Sequence, residues 1–295
     1  MTFAAVLRVL CGKAFDFLKR MKSLNRKDRK ENNAKYAKKD SENFSEYQMK
    51  NLLLGMFLLT CTVAGSAATA KEVSYKSGNE TVQAVLYMPQ GKGPFPALVV
   101  IHEWWGLNDW VKEQASKLAD EGYVTLAVDL YRGKVATTAD EAQKIMRDVP
   151  DERADQDLHV AVAFLKSQPE VKKDRVGAIG WCMGGGYALD VAMQEPTLAA
   201  DVINYGELQA DPADLKKIKS PILGIFGGVD RSIPQSDVNK FAQQLKSMGK
   251  SVDVHIYPEA GHAFENPNNT QGYRKDDAAD AWTRTVAFLA EHLKK

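Results

Sequence analysis

The run Gly180-Trp181-Cys182-Met183-Gly184-Gly185-Gly186 separates a short apolar stretch, 176–179, from a helical pattern over 183–194. Glycines at that density between a strand and a helix indicate two backbones in close approach, joined by a sharp turn. The side chain at the tip of the turn, Cys182, is lifted clear of the sheet. It also sits beside a helix N-terminus, whose partial positive charge favours a thiolate. The bland alternative is a small buried cysteine next to a glycine-rich turn, and the pentapeptide alone does not separate the two.

The rest of the chain must supply a sheet for that turn to leave. Strands are expected at 82–87, 97–101, 123–128, 176–179, 222–226 and 252–257, the first alternating and several of the others continuous apolar runs. Helical patterns lie between them at 110–121, 139–146, 153–168, 183–194, 235–248 and 278–292. Strand–helix alternation implies an α/β fold, a mostly parallel sheet with helices on both faces and no large cap domain. Ligands bind such sheets beyond the carboxyl ends of the strands.

Charge divides the chain in two. Residues 1–70 carry 13 Lys and Arg against 6 acids, while 71–295 carry 26 against 32. The acidic body excludes a broad nucleic-acid surface. Residues 49–70 read as a secretory signal peptide: Lys50, an apolar run of about a dozen residues, then small residues ending at Ala70. The run is too short for a bilayer span, which takes ~20 residues. Residues 1–48 form a basic extension, disordered or preceding a true start at Met49, and one domain is expected over 71–295. The expectation is a periplasmic or secreted monomer with no stable membrane span after processing. Loss of Cys11 and Cys61 would leave Cys182 as the remaining thiol, unable to pair within the chain.

A nucleophilic cysteine needs a base. His159, His255 and His292 fall within expected helices or a strand, and His102 ends a strand as a structural or pocket residue. His262, in the loop after the last strand, is placed to reach over the sheet edge. The carboxylate that orients it is Asp230, which follows the 222–226 strand. Asp129 precedes the nucleophile and is read as bracing its own loop. The order nucleophile, acid, histidine is the one found on α/β-hydrolase sheets. Backbone N–H groups of Met183 and Trp104 are expected to hold the oxyanion.

With these residues in place, the sequence resembles the dienelactone hydrolase family. The likeness runs from about Val82 to Leu293 through His102-Glu103-Trp104-Trp105-Gly106, Asp129-Leu130-Tyr131-Arg132-Gly133, the cysteine elbow, Gly228-Val229-Asp230 and Gly261-His262-Ala263-Phe264. The resemblance implies a Cys182/Asp230/His262 triad, a role for Glu103 in activating the thiol, and Arg132 as the cation for a substrate carboxylate. Tyr131, Trp104, Trp105 and Trp181 are expected either to line an apolar pocket or to join the core. The founding members have serine and arginine where this chain has Ala263 and Asn266, which points away from dienelactone itself.

The expected activity is cleavage of a small-molecule ester or lactone through a thioester acyl-enzyme. A broad carboxylesterase and a non-catalytic redox-sensing thiol are the alternatives. No cofactor is expected, and no metal, because the histidines lack ligand spacing.

Overall fold

A computed structural model describes residues 68–208 and 211–295, all within one compact unit, Ser66–Lys295. The expected extension 1–48 and nearly all of the expected signal segment lie outside the described residues. The eight strands are β1 (Thr69–Ser77), β2 (Glu80–Met88), β3 (Phe95–Ile101), β4 (Val124–Asp129), β5 (Val171–Trp181), β6 (Ala200–Asn204), β7 (Ile222–Gly227) and β8 (Val252–Tyr257). They form one sheet in the order β1-β2-β4-β3-β5-β6-β7-β8, with β2 antiparallel to both neighbours and the other pairings parallel.

The central strands are buried along most of their length because helices cover the sheet. Every residue of β4 and β7 is buried, as are six of the seven in β3. Each fully buried Val, Leu or Ile contributes ~1.5–3 kcal/mol, so these runs fix the sheet and leave its rim free to vary. The helices are α1 (Asp109–Asp120), α2 (Ala139–Arg147), α3 (Asp151–Ser167), α4 (Met183–Gln194), α5 (Pro212–Leu215), α6 (Gln235–Ser247) and α7 (Lys275–Leu293). Asn108 caps α1 by accepting from the Val111 N–H at 3.1 Å, and Thr138 caps α2 through the Glu141 N–H at 3.3 Å. Helices α3 and α4 pack on each other and on β5, while α7 packs on β5, β6 and β7.

Two strands have no counterpart among the expected ones. β1 is an edge strand whose residues are mostly exposed, so its alternation carries little hydrophobic signal. β6 has only five residues, and the buried Asp201 interrupts its apolar pattern. β5 starts at Val171, five residues before the apolar run, because Val171 itself pairs with Phe95 of β3, and the polar residues 172–175 lie in the register shift before Val176 pairs with Ala97. The expected processing point after Ala70 falls inside β1, whose ladder pairs Ala70 with Tyr87 and Lys71 with Leu86.

Candidate active site

The sharp turn at Cys182 follows from local sterics. Cys182 has φ 55° and ψ −120°, a strained conformation for a residue with a side chain. A Cβ on Gly180 would run into the Gly184 carbonyl, and one on Gly184 into the carbonyls of Ile101 and His102. Glycine at both positions is what lets α4 leave directly from the end of β5. The Cys182 N–H donates to the Asn204 carbonyl at 3.0 Å, docking the turn on β6. The thiol is half-buried and free.

The ends of β7 and β8 bring the other two groups to it. Val229 N–H donates to the Ala260 carbonyl at 3.0 Å and Gly228 N–H to Tyr257 at 2.7 Å, tying the two loops together. The side chain of Asp230 is buried, and its Oδ1 accepts from the N–H groups of Ser232 (2.8 Å) and Ile233 (3.1 Å). Its Oδ2 accepts from His262 Nδ1 at 2.8 Å, and His262 Nε2 stands 3.1 Å from Cys182 Sγ. Burial works against ionisation of Asp230, but the His262 hydrogen bond and charge and the two amides outweigh it and hold the carboxyl below its usual range. Burial likewise disfavours a charged His262. Its hydrogen bonds to Asp230 and Cys182, with their charges, prevail and raise the imidazole to about 10.

Glu103 lies at the end of β3 and is 1% exposed. Its Oε2 accepts from Asn266 Nδ2 at 2.7 Å, whereas Oε1 is buried without a partner. Burial pushes this carboxyl up to about 7 despite the Asn266 hydrogen bond and the His262 charge. His102 is wholly buried and structural. Its Nε2 accepts from Leu130 N–H at 3.2 Å, which leaves Nδ1 to donate to the Glu103 carbonyl at 2.6 Å and shapes the loop carrying Glu103. Asp129 braces its own turn by accepting from the N–H groups of Tyr131 and Gly133. His159 sits against Glu195, His255 against Tyr257 and His292 against Phe288, all away from Cys182.

A cleft of about 1670 Å³ opens over Cys182 and His262, and Glu103, Met183, Trp104 and Trp105 also line it. The remaining residues expected to bind substrate are elsewhere. Arg132, expected at a substrate carboxylate, has φ 57° and turns towards the sheet edge. There its Nε and Nη2 donate to Glu80 Oε2 at 3.0 and 2.8 Å, and its Nη1 lies 2.7 Å from the buried Asp157. It braces β2 against α3 and does not line the cleft. Trp181 precedes the nucleophile on β5, so strand alternation sends it to the other side. It packs edge-on against Trp110 and donates from Nε1 to Glu265 Oε2 at 3.3 Å. Tyr131 is folded inward by the Asp129 turn, with its ring against His102 and its hydroxyl 3.1 Å from Met183 Sδ. Tyr131 and Trp181 are therefore core residues.

Three features of the site were not anticipated from sequence. Asn266 holds Glu103, Glu265 holds the indole of Trp181, and Tyr205 at the end of β6 stands edge-on to His262 at 5.3 Å. The positions flanking His262 carried the signal for the first two, since a polar pair follows Phe264. Among the described residues no group of three or more His, Cys, Asp or Glu could hold a metal ion. None of the described helices is long and apolar enough to cross a membrane.

Residues 82–293 match the dienelactone hydrolase family. A Methylorubrum extorquens protein, provisionally named a carboxymethylenebutenolidase, is 33% identical over 79% of this chain and 84% of its own length. The protein usf of Aquifex pyrophilus is 34% identical over 75% of this chain and 98% of its own. Among solved structures, a dienelactone hydrolase-like promiscuous phosphotriesterase from metagenomic libraries superposes with a TM-score of 0.72 at 28% identity, covering 77% of this chain and 99% of the other. With a mostly parallel eight-stranded sheet, an elbow at the end of β5 and a family match across nearly all of the described residues, this chain belongs to the dienelactone hydrolase family of α/β-hydrolases.

Proposed function

We propose that the protein hydrolyses a carboxylic ester or lactone through a thioester on Cys182. The unbroken chain of contacts Asp230–His262–Cys182 at the strand-to-helix elbow carries this reading. Proton transfer from Cys182 to His262 gives the attacking thiolate and an imidazolium, a transfer that the raised histidine favours. The sulfur attacks the substrate carbonyl, and the electron pair moves onto its oxygen, which the N–H groups of Met183 and Trp104 receive. Met183 suits that task because the first N–H groups of a helix lack helical acceptors. Collapse of the tetrahedral adduct expels the alkoxide, which takes the Nε2 proton of His262. The neutral imidazole then removes a proton from water, hydroxide attacks the thioester, and the thiolate–imidazolium pair is restored. Asp230 keeps Nδ1 protonated throughout. Glu103, neutral below about 7 in its pocket, adds little negative charge against the thiolate there.

An ester without a carboxylate fits better than dienelactone. Arg132 is already engaged by Glu80 and Asp157, and Asn266 is neutral. The broad carboxylesterase alternative follows from the same observation. Residues 49–70 are read as the export signal, which places the mature protein in the periplasm or the medium.

Intact mass of protein recovered from those fractions, with and without brief exposure to p-nitrophenyl acetate, reads the start of the chain and the acyl adduct together. The expected result is a chain beginning at or near Lys71 that gains one acetyl group on Cys182, and a loss of ~10⁴-fold or more in hydrolysis for Cys182→Ala. Hydrolysis that survives Cys182→Ala would defeat the mechanism. Reversible oxidation of Cys182 without any turnover would establish the redox-sensing reading instead.

A further inference from the structure

The segment after His262 shapes the site without touching a reacting atom. His262 stands over the elbow, while Phe264, two residues on, is wholly buried with its ring against Tyr205 and Tyr257 at 5.7 and 5.0 Å. The turn between them falls on one residue, Ala263, whose φ of 55° lies in the left-handed region. A residue with a side chain is disfavoured there, and such a conformation persists only where its surroundings impose it.

Asn269 supplies that constraint. Its Nδ2 donates to the His262 carbonyl at 3.1 Å and to the Ala263 carbonyl at 3.2 Å. These carbonyls belong to the two peptide planes on either side of the Ala263 Cα, so one side-chain amide fixes both φ and ψ at the strained residue. Both acceptors are carbonyls, and only the amide nitrogen, not the amide oxygen, can serve them. Asn269 is itself held in place. Its N–H donates to the Asn266 carbonyl at 3.0 Å, and its own carbonyl accepts from the N–H groups of Gly272 and Tyr273 at 3.0 and 2.8 Å. A Cβ on Gly272 would run into the Asn269 amide, so glycine there leaves the amide its place. Asn269 also lines the cleft, but its amide nitrogen is already committed to the backbone. Relaxation of Ala263 towards negative φ would rotate the peptide that follows His262 and draw its ring away from the sulfur.

We propose that Asn269 is a positioning residue for His262, whose amide imposes the left-handed turn at Ala263 and thereby keeps Nε2 against Cys182 Sγ. The role rests on the ester-hydrolase reading, so one arm of its test needs no turnover. In the first arm, kcat and KM are measured for p-nitrophenyl acetate. Asn269→Ala is expected to lower kcat about tenfold with KM changed less than about twofold. Asn269→Asp sets a carboxylate against the two carbonyls and should lower kcat by about a hundredfold. Gly272→Ala displaces the amide without altering Asn269 and should reproduce the loss seen in Asn269→Ala. Adding Ala263→Gly to Asn269→Ala should restore most of kcat, because glycine takes positive φ without steric cost. A rise in KM with kcat unchanged would make Asn269 a substrate contact, and a loss that Ala263→Gly does not repair would make it a general support of the fold. Either result overturns the proposal.

In the second arm, the rate of Cys182 alkylation by iodoacetamide near neutral pH is compared across the same variants. His262 takes the thiol proton, so a displaced imidazole slows the reaction, by about tenfold in Asn269→Ala, with recovery on adding Ala263→Gly. That pattern upholds the positioning role even where the parent turns over no ester, in which case the ester-hydrolase reading alone fails. Alkylation at the parent rate in every variant refutes the role whatever the kinetics.

Discussion

Asp230 and Asp190 are the same side chain near the same cleft, yet their environments drive them in opposite directions. Asp230 is ringed by donors, namely two amides of its own turn and the imidazole of His262, and its carboxyl is held low. Asp190 is crowded by acids from α3, α5 and the loop after β6, and its carboxyl is raised to about 7. The first has its charge fully matched inside the protein and so can orient another residue. The second is buried among other acids and so holds its proton more tightly. Burial is common to both, and the partners decide the outcome.

Removing each charge is the most direct way to break the comparison. Asp230→Asn leaves His262 without its anionic partner and free to adopt the wrong tautomer, so kcat for an uncharged ester should fall by ~10³–10⁴-fold. Asp190→Asn touches no reacting atom and should leave kcat for that ester within a few-fold of the parent. A small effect of Asp230→Asn would place the oriented base elsewhere.

Arg132 and Asp157 sharpen the point with a matched pair that faces no ligand. Arg132→Ala strands the buried Asp157, whose side chain is 1% exposed, and should cost ~3 kcal/mol in chemical denaturation. Hydrolysis of an uncharged ester by the remaining folded protein should change little. A large rise in KM with unchanged stability would return Arg132 to the substrate.

The smallest expected effect concerns Glu265, raised to about 8 by burial and by Glu103, against the opposing hydrogen bond from Trp181. A raised folded-state value means that the folded protein holds this proton more tightly than the unfolded chain. That contribution is complete below the ordinary carboxyl value of 4.5 and is lost as the pH rises through about 8. Glu265→Gln should therefore gain Tm relative to the parent between about pH 5 and pH 9, by a few degrees. Asp230 has the opposite sign, with stability lost as pH falls. A Tm difference that is flat with pH would mean that Glu265 ionises freely where it stands.

How far the sequence carried this reading depends on the range of the forces involved. The elbow was legible because Gly180 and Gly184 answer clashes between backbones joined by a few residues. The central strands β3, β4 and β7 were legible because continuous apolar runs announce burial on both faces. Asp230 and His262 could be chosen by their positions after β7 and β8, since chain order places those loops on one rim. β1 and β6 escaped notice because pairing with neighbours holds them, more than their own hydrophobic pattern does.

The placement of Arg132, Tyr131 and Trp181 was not legible, nor was the cluster of acids around Asp190. A turn held by Asp129 and a reversal of side on β5 decide where those three side chains point, and neither leaves a periodic trace. The cluster gathers carboxylates from α3, α4 and the loop after β6, residues separated by tens of positions in the chain. The sequence by itself determined the sheet, the elbow and the identity of the reacting side chains, because local sterics and hydrophobic runs act over a few residues. Only the tertiary structure decided which charges are matched and which face the cleft, because electrostatic environment is set by neighbours in space.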